Sequence, residues 1–282
     1  MQVRSRKWIR ETALNKSVKT SAMEIVVTAT TAASRESDIK AVLLVGGKGT
    51  RLRSVLPSTP KPLAPLGNRF FLDLLVDQLR SQGIQRIIMC VGYLREQIEQ
   101  EFGTGVCRDV SIEYAREDSP LGTGGAIRLA GQHIGNASEF LVLNGDSFLE
   151  VDLWKLIHFH RAHKAIATLA LRRVENAARY GTVELNEAGQ VTRFAEKAGI
   201  DRPGLVNAGV YVFNRSLLGG LPEGPASLEI DVLPRLVGRG FYGQEQDGMF
   251  IDIGRPEDYQ LAQRLSERLS QAALHQGREG NA

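Results

Sequence analysis

Lys40-Ala41-Val42-Leu43-Leu44-Val45-Gly46-Gly47-Lys48-Gly49-Thr50-Arg51-Leu52 is the stretch on which the fold turns. The apolar run from Ala41 to Val45 reads as a buried strand, and the glycines that follow end it abruptly. Glycine has no Cβ, so such a loop lets backbone N–H groups come close to a phosphate chain. A hydroxyl, Thr50, and a guanidinium, Arg51, complete it. It is not a P-loop, because Lys48 is followed by Gly49 rather than by Ser or Thr. It is not the dinucleotide fingerprint, because Leu52 stands where the third glycine belongs. On its own the loop reads equally well as an ordinary strand-to-helix turn.

Outward from this loop the pattern alternates. Phe71, Leu74, Leu75 and Leu79 recur at helical spacing, and the helix they predict ends near Gly83. Arg86 to Val91 is a short apolar run and predicts a buried strand. Leu94, Ile98 and Phe102 predict a helix stopped by Gly103. Ser111 to Tyr114 predicts a strand, Gly124 to Ala130 a helix, and Phe140 to Leu143 a strand. Alternation of this kind argues for βαβ units around a parallel sheet. The character then changes. After a helix from Leu153 to His163, strands are expected at Ile166–Leu171, Thr182–Leu185, Val191–Phe194 and Val206–Phe213, joined by short turns. These predict a smaller antiparallel or mixed β layer beside the parallel core. Helices are expected at Leu228–Val237 and Tyr259–Leu269. The expected class is α/β, Rossmann-like, with a mostly parallel central sheet flanked by helices.

The chain has 282 residues, 43% of them hydrophobic, enough for one large α/β domain. Its net charge of +3 lies in residues 1–40, where basic residues outnumber acidic ones eight to four, leaving −1 (3 − 4) for the remainder. The globular part therefore lacks the basic footprint of a nucleic-acid-binding protein. Residues 1–37 show no sustained apolar period and read as a flexible arm, with Met23 an internal candidate start. Residues 38–270 are expected to form the domain, with 271–282 a tail. The mildly apolar segment from Ala22 to Ala33 is a weak match to a secretory signal, since Glu24 interrupts it and threonines dilute it. No apolar run is long enough to span a membrane. Cys90 and Cys107 show no metal spacing and fit a reducing, cytoplasmic setting.

Several short motifs carry chemistry. In Thr59-Pro60-Lys61-Pro62-Leu63, prolines fix the backbone on both sides of a lysine close to the glycine loop. Leu121-Gly122-Thr123-Gly124-Gly125-Ala126 is a second glycine turn, suited to close approach by a flat ligand or to an N-cap at Thr123. Asn144-Gly145-Asp146 places a carboxylate at the carboxyl end of a buried strand, where open α/β sheets hold ligands. Phe250-Ile251-Asp252 places another at a strand end. Two such aspartates suit Mg²⁺, which takes a couple of carboxylates plus substrate phosphates. His158, His160 and His163 cluster on a helix, but nothing nearby in sequence completes a zinc set, so a packed or solvated face is expected.

Together these pieces resemble the sugar-1-phosphate nucleotidyltransferases over about residues 39–265. The carriers are Gly46-Gly47-Lys48-Gly49-Thr50-Arg51-Leu52, Pro60-Lys61-Pro62, Asn144-Gly145-Asp146, Glu196-Lys197 and Asp252, in the family's order. Arg179-Tyr180-Gly181-Thr182-Val183 and Phe250 to Tyr259 look most like the branch that guanylylates D-glycero-α-D-manno-heptose 1-phosphate. Mannose-1-phosphate guanylyltransferases and N-acetylmuramate-1-phosphate uridylyltransferases share many of these motifs.

The resemblance implies that a sugar 1-phosphate attacks the α-phosphorus of an NTP, GTP favoured, and releases pyrophosphate. It implies that Arg51 grips the β- and γ-phosphates, Lys61 neutralises charge near the α-phosphate, and Lys197 holds the sugar phosphate. It implies Mg²⁺ on Asp146 and Asp252. Nucleotide contacts fall on Leu43, Val45, Gly46, Gly47, Gly49, Thr50, Gly122 and Thr123, and sugar contacts on Gly145, Gly181, Glu196 and Asn207. A regulatory nucleotide-sugar-binding subunit is the non-enzymatic alternative, and it predicts loss of Arg51, Lys61 or an aspartate. The last helix, with Leu261, Leu265 and Leu269 at i+4 spacing, is expected to pack either on its own domain or on a partner such as a second copy in a homodimer. No β-helix repeat follows it.

Overall fold

The computed structural model describes residues 39–274 apart from 197, 198 and 200, and the described residues from Lys40 onward form one compact unit. The expectations placed on residues 1–37 and on Lys197 lie outside the described residues.

The first half is built of βαβ units. Strands β1 (Lys40–Leu44), β4 (Arg86–Val91), β5 (Ser111–Arg116) and β6 (Glu139–Asn144) are parallel neighbours. Helices α1 (Phe71–Ser81), α2 (Arg95–Phe102) and α3 (Gly122–Ile134) connect them. A small hairpin of β2 (Pro65–Leu66) and β3 (Arg69–Phe70) precedes α1. Asp73 starts α1 by accepting the Phe70 N–H at 2.9 Å, and Leu72, Leu75 and Leu79 are buried along it. Burying each such leucine stabilises the fold by about 1.5–3 kcal/mol relative to exposure.

The second half adds β7 (Ser147–Leu149), α4 (Leu153–Ala162), β8 (Ala167–Val174), β9 (Thr182–Leu185), β10 (Val191–Ala195) and β11 (Gly204–Asn214). It ends with β12 (Phe241–Gln246), β13 (Phe250–Asp252), α5 (Pro256–Arg264) and α6 (Ser266–Leu274). Among the described residues the main sheet has nine strands, with the order β10-β9-β11-β6-β1-β4-β5; β8 pairs with β11, and β12 with β8. β11 runs antiparallel to β6, β8 and β9, so β6 marks the change from parallel core to mixed layer.

The order explains where the site lies. The chain leaves β1 toward β4 and β5, then returns through α3 to β6 on the other side of β1. The carboxyl end of β1 is thus a topological switch point, where a crevice opens and ligands bind. Gly46 to Gly49 emerge there.

Two expectations need correcting, and one strand pair was not expected. Leu228 to Val237 is not one helix. It is a π turn (Leu228–Val232) followed by a 3₁₀ turn (Leu233–Leu236), because Pro234 has no N–H to continue a regular ladder. The last helix is two, broken at Leu265, and α6 runs past residue 270 to pack on α1, where the Ser81 hydroxyl donates to the Ala273 carbonyl at 3.0 Å. The β7–β13 pair, Ser147 opposite Asp252, has no counterpart in the sequence reading.

Candidate active site

The crevice is a cavity of about 700 Å³ lined by the loops after β1, β4, β5 and β6 and by the mixed layer. Val45, Gly46, Gly47, Gly49, Thr50, Arg51 and Lys61 all line it. So do Gly122, Thr123, Gly145, Asp146, Gly181, Glu196, Asn207 and Asp252. Residues predicted from motifs scattered over two hundred positions of chain therefore share one wall system. Leu43 does not join them: it is fully buried between Met89 and Leu143 within the sheet.

The glycine loop is held from both sides. The Val45 N–H donates to the Cys90 carbonyl at 3.0 Å, and the Tyr93 N–H to the Gly46 carbonyl at 3.1 Å. Gly49 takes φ +56°, a backbone conformation that favours glycine, and a Cβ there would stand a tight 3.1 Å from Lys61 Cβ. Arg51 is exposed on the 3₁₀ turn Thr50–Leu52, and no carboxylate pairs with it among the described residues. Its guanidinium fork is available to an anion.

Lys61 organises the charged centre. Pro60 and Pro62 set its backbone at the start of the 3₁₀ turn Lys61–Leu63. Its Nζ donates to Asp146 Oδ2 at 2.7 Å and lies 3.9 Å from Asp252 Oδ1. Strand pairing supplies the two carboxylates. Asp146 follows β6, Asp252 ends β13, and the Ile253 N–H donates to the Asp146 carbonyl at 3.0 Å. Behind them, the Gly145 N–H donates to the Leu44 carbonyl at 2.9 Å, and a Cβ on Gly145 would stand 2.6 Å from that oxygen. Burial and the charge of Asp146 push the Asp252 carboxyl above the usual carboxylate range, against the pull of Lys61 and the Gly254 N–H. Two carboxylates sharing one ammonium leave an excess negative charge, which fits a hard divalent cation with oxygen ligands. Among the described residues no group of three or more His, Cys, Asp or Glu gathers in metal-binding fashion. A cation held by these two aspartates would need its remaining ligands from substrate or water.

The opposite wall is built by a break in β11. Between Asn207 and Tyr211 the register against β8 shifts, and Gly209 takes φ +78°, where a Cβ would stand 2.5 Å from Ser147 Oγ and 3.0 Å from Asn144 Nδ2. Such bulges re-aim side chains next to active sites. The Asn207 amide donates to the buried Tyr211 hydroxyl at 2.8 Å and its Oδ1 accepts the Gly209 N–H at 3.1 Å. Gly181 faces Glu196: a Cβ there would stand 2.8 Å from Glu196 Oε2.

The second glycine turn lines the crevice and also packs against a segment of this chain. Gly124 and Gly125 donate to the Ala226 carbonyl at 2.8 and 3.3 Å, and a Cβ on Gly122 would stand 2.5 Å from it. The glycines thus admit the 224–227 segment of this chain. The N-cap is Leu121, and the Thr123 hydroxyl donates to Glu229 Oε2 at 2.8 Å while accepting the Leu228 N–H at 2.7 Å.

Sequence reasoning passed over three wall residues. Arg179 lines the cavity and pairs with Asp258 at the start of α5 through two bonds of 2.5 and 3.1 Å. Glu229 and Glu117 also line it. Arg179 stands in a motif already singled out; nothing in the sequence marks the glutamates. The histidines go elsewhere: His160 is buried under the sheet with Nδ1 2.9 Å from Thr168 Oγ1.

The family model described as nucleotidyl transferase matches residues 40–268. A D-glycero-α-D-manno-heptose 1-phosphate guanylyltransferase from Aneurinibacillus thermoaerophilus is 41% identical over 229 residues, 80% of this chain and 97% of the relative. A mannose-1-phosphate guanylyltransferase from Mycobacterium tuberculosis is 38% identical over 225 residues, 78% of this chain, which spans only 62% of that relative. The crystal structure of HddC from Yersinia pseudotuberculosis superposes with a TM-score of 0.72 at 34% identity, covering 80% of this chain and 98% of that one. HddC has also been solved in complex with GMP-PN. Motifs, crevice and relatives agree: the chain belongs to the nucleotidyl transferase family.

Proposed function

We propose that this chain is a Mg²⁺-dependent guanylyltransferase that joins GTP to D-glycero-α-D-manno-heptose 1-phosphate, giving the GDP-sugar and pyrophosphate. The observation that carries the reading is the Lys61–Asp146–Asp252 centre set beside the glycine loop and Arg51. The chain matches almost the full length of a heptose relative but only part of the mannose relatives, which favours the heptose substrate. Mannose 1-phosphate is the second candidate.

Both substrates are anions, so the work is positioning them and neutralising charge. Arg51 takes the β- and γ-phosphates, and its fork suits two oxygens at once. Lys61, its backbone set by the flanking prolines, neutralises charge at the phosphate that reacts. Lys197 is assigned the phosphate of the sugar. Asp146 and Asp252 would hold Mg²⁺, which supplies Lewis-acid stabilisation at the α-phosphate when bound. Asn207, Gly181, Gly145 and Glu196 face the sugar side, and Gly181 leaves room there that a Cβ would fill. A phosphate oxygen of the sugar 1-phosphate then attacks the α-phosphorus in line, and the α–β bridging oxygen departs with pyrophosphate. No covalent enzyme intermediate is required. Retention of Arg51, Lys61 and both aspartates favours an enzyme over a regulatory subunit. Among the described residues no helix is long and apolar enough to cross a membrane. A homodimer through α5 and α6 is retained as a proposal.

A panel of NTPs crossed with heptose, mannose, glucose and N-acetylmuramate 1-phosphates, read by pyrophosphate release, tests the reading. GTP with the heptose phosphate is expected to give the highest kcat/KM. Preference for UTP with N-acetylmuramate 1-phosphate would overturn it.

A further inference from the structure

Arg179 lines a crevice built for anions, yet its guanidinium is already committed. Nη1 donates to Asp258 Oδ1 at 3.1 Å and Nη2 to Oδ2 at 2.5 Å. A two-pronged pair of this kind fixes direction as well as distance. The two side chains are only 26% and 20% exposed, so salt and water screen the pair less than one on the open surface.

The elements that the pair joins are otherwise separate. Arg179 belongs to the 175–181 loop between β8 and β9, next to Tyr180 and Gly181. Backbone bonds hold this loop to the sugar side of the crevice. The Ala177 N–H donates to the Arg202 carbonyl at 3.1 Å, and the Asn207 N–H to the Gly181 carbonyl at 2.8 Å. Asp258 lies in the first turn of α5, which follows Asp252 closely. That segment is held to the charged centre instead. The Ile253 N–H donates to the Asp146 carbonyl at 3.0 Å, and the Gly254 N–H to Asp252 Oδ1 at 2.6 Å. The Tyr259 hydroxyl donates to the Pro65 carbonyl at 2.8 Å and anchors α5 behind it. β9 belongs to the main sheet, whereas β13 pairs with β7 in a sheet of their own. Among the described residues no strand ladder therefore joins the two walls. Arg179 and Asp258 bridge them, and Tyr180 lies against Phe250 alongside, ring centroids 5.7 Å apart.

We propose that Arg179 and Asp258 are positioning residues that latch the sugar wall of the crevice to the Lys61–Asp146–Asp252 centre. This rests on the sugar-1-phosphate nucleotidyltransferase reading above. In-line attack needs the incoming phosphate aligned with the α-phosphorus, and a misplacement of about 1 Å costs on the order of 10²-fold. The two reactants rest on walls with no common ladder, so a rigid side-chain link between the walls sets that alignment. GTP bound alone lies on the glycine-loop side and does not depend on the link.

The test is a double-mutant cycle of Arg179→Ala, Asp258→Ala and the two combined, read by pyrophosphate release at varied sugar 1-phosphate. Each single variant is expected to lose about 10–100-fold in kcat/KM for the sugar phosphate, with kcat falling as well as KM rising. The combined variant is expected to lose no more than either single one, because each already opens the latch. Binding of GTP with Mg²⁺ in the absence of sugar phosphate, read by calorimetry, is expected to stay within about twofold of wild type. Should the alanine variants unfold, Asp258→Asn keeps the volume and one acceptor, and a loss of about threefold or more in kcat with GTP binding retained is expected. A lower Tm with unchanged kinetics marks a plain stabilising pair and overturns the latch. A loss confined to Arg179→Ala marks an arginine that itself meets substrate and overturns it too, as do losses that add in the combined variant. A wild type that releases no pyrophosphate with any sugar 1-phosphate overturns the latch together with the reading beneath it.

Discussion

Lys61→Met is the perturbation whose two effects should run in opposite directions. The Lys61 ammonium stands 2.7 Å from Asp146 Oδ2 and 3.9 Å from Asp252 Oδ1. At an effective dielectric of about 20 these attractions amount to about 6 and 4 kcal/mol before desolvation is subtracted. Lys61 is 10% exposed, but the Asp146 side chain is 44% exposed and water screens it. The net worth of the cluster therefore lies near the exposed-pair end, about 1–2 kcal/mol. Methionine keeps the stem and removes the charge, leaving two carboxylates facing each other. A divalent cation no longer competes with the ammonium for Asp146, so Mg²⁺ without nucleotide should bind about 5–30-fold more tightly, the equivalent of that energy. Turnover should fall about 10²–10³-fold, the usual cost of losing one group that stabilises transition-state charge. The assays are a thermal-shift titration with MgCl₂ and pyrophosphate release at saturating substrates. Weaker Mg²⁺ binding together with turnover within about fivefold of wild type would refute the reasoning.

Other substitutions probe the remaining walls. Asp252→Asn removes a carboxylate from the same centre and should lower kcat about 10²-fold or more with Mg²⁺ present, measured by pyrophosphate release; near-wild-type rates would remove it from the metal site. Gly145→Ala drives a Cβ to 2.6 Å from the Leu44 carbonyl oxygen and 2.7 Å from Val45 Cγ1. Its overpacking should cost about 1–3 kcal/mol, a Tm lowered by several degrees in calorimetry, and should displace Asp146 enough to reduce kcat. Gly181→Ala fills the space before Glu196 and should raise KM for the sugar phosphate while leaving that for GTP nearly unchanged in steady-state kinetics. His160 makes stability pH-dependent: burial first, and then the neighbouring Arg161 charge, lower it to about 4. The unfolded chain, with histidine near 6.5, binds the proton that the folded one refuses. Stability should therefore fall as pH drops from about 6.5 to 4, by about 3 kcal/mol in all. Urea unfolding of His160→Phe should show a flatter profile over that window, and an identical slope would refute the assignment.

The parallel half of the fold was legible because buried strands there are continuous apolar runs closed by glycine, as in Arg86 to Val91. β12 was not, because Phe241 to Gln246 carries Gln244, Glu245 and Gln246 and shows no apolar run. Its place comes from parallel pairing with β8, a long-range partner that no local pattern encodes. Asp146 and Asp252 could each be found from a motif, but their meeting depends on the β7–β13 pair, whose strands are three residues each and too short to show a period. Thr123 and its glycines read as a turn that allows close approach; the packing of Ala226 against Gly124 and Gly125 is a long-range contact that no local pattern encodes. Glu117 carried no signal, since a lone glutamate in a charged loop is the commonest of surface residues, and only the folded crevice shows it turned inward.

The central claim is transfer at the α-phosphate, and label tracing tests it directly. With α-labelled GTP, Mg²⁺ and D-glycero-α-D-manno-heptose 1-phosphate, the label should appear in the GDP-sugar; with γ-labelled GTP it should appear only in pyrophosphate. Transfer of the γ label to the sugar phosphate, or its release as orthophosphate, would contradict the account.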